Sequence, residues 1–181
     1  MSAEQQSPQQ YLDQADMIHS AQDISSAIDR VAADISTDLA SSNPLVLAVM
    51  GGAVMFTGHL LPKLTFPLEF DYVQASRYHN QTAGQDLVWK MMPKDSVKGR
   101  VVLVLDDILD EGITLAAIKQ KCLELGASRV VIAVLVEKTL QHAKPVTADY
   151  IGLRVPDRYV FGCGMDVYGW WRNLPAIYAL K

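Results

Sequence analysis

Blocks of apolar and polar residues alternate along the chain, and their periods predict helices and strands in turn. An apolar run at residues 45–50 stops at a glycine doublet, which predicts a buried strand entering a turn. Residues 53–61 predict a short helix ended by Pro62. In residues 23–39 the apolar side chains recur at helical spacing and predict an amphipathic helix: Ile24, Ala27, Ile28, Val31, Ile35 and Leu39.

The second half of the chain continues the alternation. Helical spacing at residues 114–125 predicts a helix that Gly126 closes. A polar loop is predicted at residues 79–85. Strands are predicted at residues 68–78, 86–92, 101–105, 130–136 and 149–155. Alternating strands and helices indicate an α/β protein with a mostly parallel sheet, in which ligands bind beyond the carboxyl ends of the strands.

Composition and charge limit the organisation and the possible partners. A chain of 181 residues with half of them hydrophobic predicts one domain, which we place at residues 11–181 after a flexible, Gln-rich tail at residues 1–10. The net charge of -4 argues against a nucleic-acid partner, because phosphates are neutralised by clustered Lys and Arg. No apolar segment is long enough for a membrane, and no signal peptide is evident, so we expect a cytoplasmic protein.

The chemistry is concentrated in VVLVLDDILDEGITL, residues 101–115. A buried strand delivers the adjacent carboxylates of Asp106 and Asp107, and Asp110 follows. Gly112 and Thr114 then open a helix, and free N–H groups at a helix start bind phosphate. Each acid alone is more often a helix cap or a first-turn acid. Together they indicate a ligand that carries a phosphate, a diol and a divalent cation.

This stretch resembles the phosphoribosyl pyrophosphate (PRPP) motif of the type I phosphoribosyltransferases. Two further segments, VPDRYVFGCGMD (155–166) and WRNLP (171–175), are similar to the purine-binding and closing segments of the hypoxanthine-guanine subfamily. The resemblance covers residues 20–178. It implies a Rossmann-like, mostly parallel sheet flanked by helices, a small hood from the terminal segments and a flexible lid loop. It also implies magnesium-dependent transfer of phosphoribosyl from PRPP to hypoxanthine or guanine, giving IMP or GMP and pyrophosphate.

The resemblance also implies roles for individual residues. Asp110 matches the proposed general base near purine N7, and Lys138 matches the lysine that donates to the 6-oxo group. Arg172, Met50 and Gly51 match pyrophosphate contacts. The acids implied near magnesium are Asp106 and Asp107, which also face the ribose hydroxyls, and Asp166. Residues implied for the 5-phosphate are Glu111, Gly112, Ile113 and Thr114, and those implied for the purine are Tyr159, Val160 and Asp166.

Three residues depart from the family pattern. Met50 stands where the family often has Lys or Arg, and Glu111 stands where a Ser or Thr is usual, so its carboxylate is expected to point away from the phosphate. Arg77 replaces Ser at the start of the predicted lid, residues 76–86. We expect Arg77 to supply the pyrophosphate-binding charge that is missing at Met50.

Other interpretations remain open at this stage. One is a regulator of the same fold that senses PRPP or a nucleotide, and another is a phosphoribosyltransferase that prefers xanthine. Lys138 argues against adenine, since a 6-amino group has no acceptor for an ammonium donor. The family suggests a homodimer or homotetramer. The four histidines show no ligand spacing, and none is assigned to a metal.

Overall fold

The computed structural model describes residues 7–77 and 87–181, with the backbone alone for residues 76, 77, 87 and 95. The predicted lid therefore lies almost wholly outside the described residues, as does the side chain of Arg77. No helix in the described ranges is long and apolar enough to cross a bilayer. The helices are α1 (Pro8–Asp13), α2 (Ala21–Leu39), α3 (Val54–Leu60) and α4 (Ile113–Glu124), with short 3-10 turns at Leu61–Lys63 and Asp95–Val97.

Within those residues, six strands form the main sheet in the order β4-β3-β2-β5-β6-β7. They are β2 (Leu45–Val49), β3 (Glu69–Arg77), β4 (Leu87–Met91), β5 (Val101–Leu109), β6 (Arg129–Lys138) and β7 (Tyr150–Val155). Strand β4 is antiparallel at the edge, and the other neighbours are parallel. The predicted α/β class and mostly parallel sheet are confirmed.

Helices cover both faces of this sheet, because apolar residues at helical spacing give each helix one side that packs on it. Helix α2 begins with a capping box in which Ser20 and Asp23 bond each other's main-chain N–H. One buried cluster joins α2 and α3 to the sheet, and the other joins α4. Each fully buried Leu or Ile in these clusters contributes roughly 1.5–3 kcal/mol to folding.

The terminal segments form a second, smaller sheet. It consists of β1 (Asp16–His19), β9 (Ile177–Ala179) and β8 (Val160–Phe161), all antiparallel. Arg158 reinforces it by donating to the Leu180 carbonyl at 2.8 Å and to the Asp16 carboxylate at 2.7 Å. This sheet lies where the resemblance implies a hood, and it carries the segment expected to bind the purine.

Two boundaries differ from the predictions. Helix α1 starts at Pro8, so residues 8–10 are helical although we expected them in a flexible tail. Strand β5 continues to Leu109 and contains Asp106 and Asp107, which we expected beyond its end. The extension follows from pairing with β6, whose parallel register runs to Leu109 opposite Glu137.

Candidate active site

A cavity of about 220 Å³ opens at the carboxyl ends of β5 and β6, beneath the hood. Parallel strands expose their last residues at this edge, which is where ligands bind in open α/β sheets. Seven of the predicted site residues line the cavity together. Its lining consists of Asp107, Ile108, Asp110, Lys138, Tyr159, Val160, Met165, Asp166 and Arg172.

Asp110 and Lys138 meet in this cavity because they stand at the ends of neighbouring strands. The last residues that β5 and β6 pair with each other are Leu109 and Glu137. Asp110 directly follows the first, and Lys138 directly follows the second. The Lys138 Nζ lies 3.0 Å from the Asp110 Oδ1, and the lysine side chain is only 12% exposed. The site therefore presents a hydrogen-bond donor and an acceptor side by side.

The acidic pair lies deeper than Asp110. Asp106 and Asp107 are each 8% exposed, and Asp107 faces the cavity whereas Asp106 is outside its lining. Burial raises the pKa of Asp106 well above its ordinary value, and the neighbouring Asp107 charge adds to the shift. Burial also raises the pKa of Asp107, which its hydrogen bonds and the Arg172 charge partly oppose. Two crowded, buried carboxylates are suited to cationic or hydroxyl partners.

The predicted phosphate loop turns into α4 beside the cavity. Gly112 adopts a left-handed conformation with a φ of 78° and caps the helix that begins at Ile113. The first N–H groups of a helix have no intrahelical acceptor, so Ile113 and Thr114 present free donors to an anion. The Glu111 carboxylate lies 2.9 Å from His142 Nε2. It is thus engaged by the loop after β6, to which His142 belongs.

The predicted pyrophosphate loop follows β2 and packs against Asp107. The Met50 N–H donates to the Val73 carbonyl at 2.8 Å, and the Met50–Gly51 peptide bond is cis. At Gly52 the main chain lies so close to Asp107 that an added Cβ would overlap the carboxylate. The glycine at this position allows the loop and the carboxylate to approach each other.

The purine segment adds an aromatic ring and a cation. Tyr159 is half exposed, and its ring is nearly parallel to that of Tyr168, with centroids 6.3 Å apart. The Arg172 guanidinium donates to the Gly164 carbonyl at 2.6 Å and forms an ion pair with Asp166. Asp166 also accepts from the Gly169 N–H at 2.7 Å. These contacts fix both charged groups on the hood side of the cavity.

Metal binding by protein ligands alone is not supported in the described ranges, where no group of three or more His, Cys, Asp or Glu residues could hold an ion. Asp166 therefore does not form one cluster with Asp106 and Asp107. Magnesium commonly takes one or two carboxylates and completes its shell with waters and substrate phosphates. The acidic pair fits an ion of that kind, arriving with a phosphorylated substrate.

The fold places the chain among the open α/β proteins whose site lies at the carboxyl ends of the strands. The phosphoribosyl transferase domain matches residues 14–169. The chain belongs to the phosphoribosyltransferase family, which makes it a transferase and confirms the resemblance.

Two relatives and a solved structure describe the match more closely. The chain is 32% identical over 160 residues to a hypoxanthine-guanine phosphoribosyltransferase of Streptococcus pneumoniae, covering 88% of this chain and 89% of that one. It is 32% identical over 166 residues to a hypoxanthine-guanine-xanthine phosphoribosyltransferase of Tritrichomonas foetus, covering 91% of each. A hypoxanthine phosphoribosyltransferase structure from Staphylococcus aureus superposes with a TM-score of 0.88 at 25% identity, over 98% of this chain and 97% of that one.

Sequence reasoning did not identify every residue at the site. Ile108 and Met165 line the cavity, and Gly52 packs against the Asp107 carboxylate that faces it. The glycine doublet was visible as a turn, but its approach to Asp107 is a tertiary feature. Lys144 and His142, which contact the site from the loop after β6, carry no local signal that separates them from surface residues.

Proposed function

We propose that this chain is a purine salvage enzyme that transfers the phosphoribosyl group of PRPP to N9 of hypoxanthine or guanine. The products are IMP or GMP and pyrophosphate. The observation that carries the proposal is the 3.0 Å pairing of Lys138 with Asp110 in a cavity that Tyr159 also lines. Relatives named hypoxanthine-guanine phosphoribosyltransferase, at 32% identity, support the same choice of base.

Base recognition follows from matching donors and acceptors. A 6-oxopurine carries O6 and N7 next to each other on one edge. The Lys138 ammonium donates to O6, and the Asp110 carboxylate accepts from N7–H. The Tyr159 ring stacks on the face of the base, and Val160 contacts its edge through the main chain. Adenine presents an amino donor where Lys138 needs an acceptor, so it is rejected.

PRPP occupies the rest of the site. Its 5-phosphate binds the loop from Glu111 to Thr114 at the start of α4, while its ribose hydroxyls face Asp106 and Asp107. The pyrophosphate lies along the loop of Met50 and Gly51. Arg172, held by Gly164 and Asp166, adds positive charge there, because Gly164 packs against the main chain of Gly52 in the same loop. Arg77 is proposed as a further pyrophosphate contact.

The reaction exchanges one bond at the ribose C1 for another. The bond to pyrophosphate breaks and the N9–C1 bond forms, while the N7 proton passes to Asp110. Positive charge develops on the ribose as the leaving group departs. Holding the base and PRPP in one cavity makes this a reaction between positioned partners.

Magnesium, when bound, supplies positive charge that stabilises the leaving pyrophosphate. Asp106 and Asp107 would hold one ion on the ribose side, and Asp166 is proposed near a second. The burial and mutual repulsion that raise the pKa of Asp106 fit a site completed by a cation.

Xanthine is a second candidate substrate. It keeps the 6-oxo group that Lys138 recognises and changes only the 2-position. The Tritrichomonas foetus relative, whose name includes xanthine, specifically favours testing it.

The test is a turnover assay with PRPP, magnesium and hypoxanthine, following IMP. Asp110→Asn should lower kcat by about 100-fold or more, because general base catalysis contributes at least that much. The hypoxanthine KM should change by less than about threefold, since the amide keeps an acceptor. PRPP binding without nucleotide formation by the wild-type chain would favour the regulator and overturn the proposal.

Assembly and location are further parts of the proposal. Phe70 and Tyr72 expose 47% and 39% of their surfaces on β3, which suits a contact with a second copy. We propose a homodimer or homotetramer, to be measured by analytical ultracentrifugation, with loss of assembly in Phe70→Ser. Activity on free nucleobases and PRPP suits the cytoplasm, without nucleic-acid or membrane partners.

A further inference from the structure

The loop between β6 and β7, residues 139–149, contacts the ends of β5 and β6 beside the site. Its Lys144 side chain is 10% exposed, which is unusual for a lysine. The ammonium donates to the main-chain carbonyl of Lys138 at 2.6 Å and to that of Leu109 at 3.0 Å. The Glu137 carboxylate lies 3.7 Å away. A buried ammonium is costly without partners, and these three acceptors supply them.

Both carbonyls belong to the strand ends that carry the reacting groups. Leu109 directly precedes Asp110, and Lys138 itself supplies the ammonium that faces the cavity. The ladder between β5 and β6 ends at the pair of Leu109 and Glu137. At this end of the ladder, the Lys144 Nζ bridges the main chains of the two strands by donating to a carbonyl on each.

The same loop also packs on the phosphate loop. A Cβ added to Gly112 would lie 3.2 Å from Val146 and 3.5 Å from Pro145. His142 contacts Glu111 at 2.9 Å. Three parts of this loop therefore contact residues 109–112, and Lys144 is one of several contacts that hold the loop against the site.

We propose that Lys144 is a positioning residue that sets the spacing between Asp110 and Lys138 by holding the two strand ends through their carbonyls. This inference rests on the proposed function, which gives those two groups their roles toward N7 and O6. Lys144 touches neither base nor PRPP. Its loss is expected to misplace both groups, and displacements of about 1 Å in a catalytic site cost on the order of 100-fold in rate.

Three variants test the idea. Lys144→Met keeps the length of the side chain and removes its donors. It should lower kcat/KM for hypoxanthine by about 10-fold to 100-fold while the Kd of PRPP, measured by calorimetry, stays within about twofold. Lys144→Arg should restore at least part of this loss, because a guanidinium keeps the positive charge and several donors and a cavity of about 350 Å³ lies beside Lys144. Lys63→Met removes a half-exposed lysine from a distant ion pair with Asp29 and should keep wild-type constants.

A double-mutant cycle separates positioning from mere stability. If Lys144 acts through Lys138, the losses of Lys144→Met and Lys138→Met in kcat/KM will not add. A lower Tm for Lys144→Met, with kcat and hypoxanthine KM within about twofold of wild type, would overturn the inference. Additive losses would overturn it as well. A wild-type chain that forms no nucleotide would overturn the proposed function and this inference with it, whereas an active wild type matched by Lys144→Met removes only the inference.

Discussion

Gly52, in the turn after β2, lies against Asp107, and replacing it with alanine tests whether this contact serves catalysis more than folding. The added Cβ would lie 2.5 Å from the Asp107 Cγ and 2.9 Å from its Oδ1, and would overlap the other carboxylate oxygen. Real Cβ atoms do not approach other atoms so closely, so the side chain of Asp107 has to move. The atoms in the way belong to the side chain of Asp107, which can move while the main chain keeps its fold.

The size of the effect follows from how far Asp107 is displaced. To regain an ordinary contact of about 3.5 Å, the carboxylate has to shift by about 1 Å or more. A displacement of that size in a reacting site costs on the order of 100-fold in rate. Stability should fall by only about 1–3 kcal/mol, the usual cost of overpacking. Activity should therefore fall far more than stability does.

The assay compares Gly52→Ala with Gly58→Ala, a matched change within α3. Nothing lies within 4 Å of the Cβ added at Gly58, and alanine in a helix interior stabilises by roughly 0.5–1 kcal/mol. Gly58→Ala should keep the wild-type kcat/KM and a Tm at least as high. Gly52→Ala should lose kcat/KM for PRPP by about 100-fold while remaining folded. Wild-type kinetics in Gly52→Ala would refute the reasoning that Asp107 needs this glycine.

Three further predictions concern the aromatic stack, the thiols and one surface cluster. The Tyr11 ring of α1 lies 5.1 Å from that of Tyr168, which in turn stacks on Tyr159, the proposed purine contact. Tyr11→Ala should therefore raise the hypoxanthine KM by about two- to tenfold, with Tyr11→Phe near wild type, and equal KM values would contradict this. Burial raises the pKa of Cys122 and Cys163 to about 11, so iodoacetamide at pH 8 should label the unfolded chain and spare the native one; comparable labelling rates would contradict the burial. Hydrogen bonds from Arg129 and Tyr150 lower the pKa of Asp38 below its ordinary 3.8. The resulting stability is present above pH 3.8 and lost as pH falls through the lowered native pKa, so the Tm deficit of Asp38→Asn should shrink in acid; a deficit independent of pH would argue against it.

Long periodic elements were readable from the sequence because they bury one continuous face. Helix α2 and strands β2 and β6 follow the predicted residues closely, since their apolar spacing matches their environment. The short strands of the hood were not predicted. Strands of two to four residues carry little period, and their partners lie far along the chain, as β1 and β9 do.

The candidate site was predictable where its functional residues lie close together in the sequence. The acids of residues 106–110 and the glycine that opens α4 form a compact motif, and seven of the predicted residues share one cavity. The contacts that hold these groups in place were not predictable. Lys144 reads as a surface lysine, and only the packing of the loop after β6 buries its ammonium against two carbonyls. Such contacts depend on tertiary distances that no local pattern records.

The central claim is transfer of phosphoribosyl to a 6-oxopurine, and the most direct measurement compares four bases. The wild-type chain is assayed with PRPP and magnesium against hypoxanthine, guanine, xanthine and adenine, and kcat/KM is obtained for each. We expect rapid formation of IMP and GMP and a kcat/KM for adenine lower by about 10⁴-fold or more, because Lys138 meets no acceptor there. Comparable turnover of adenine, or none of any base, would contradict it.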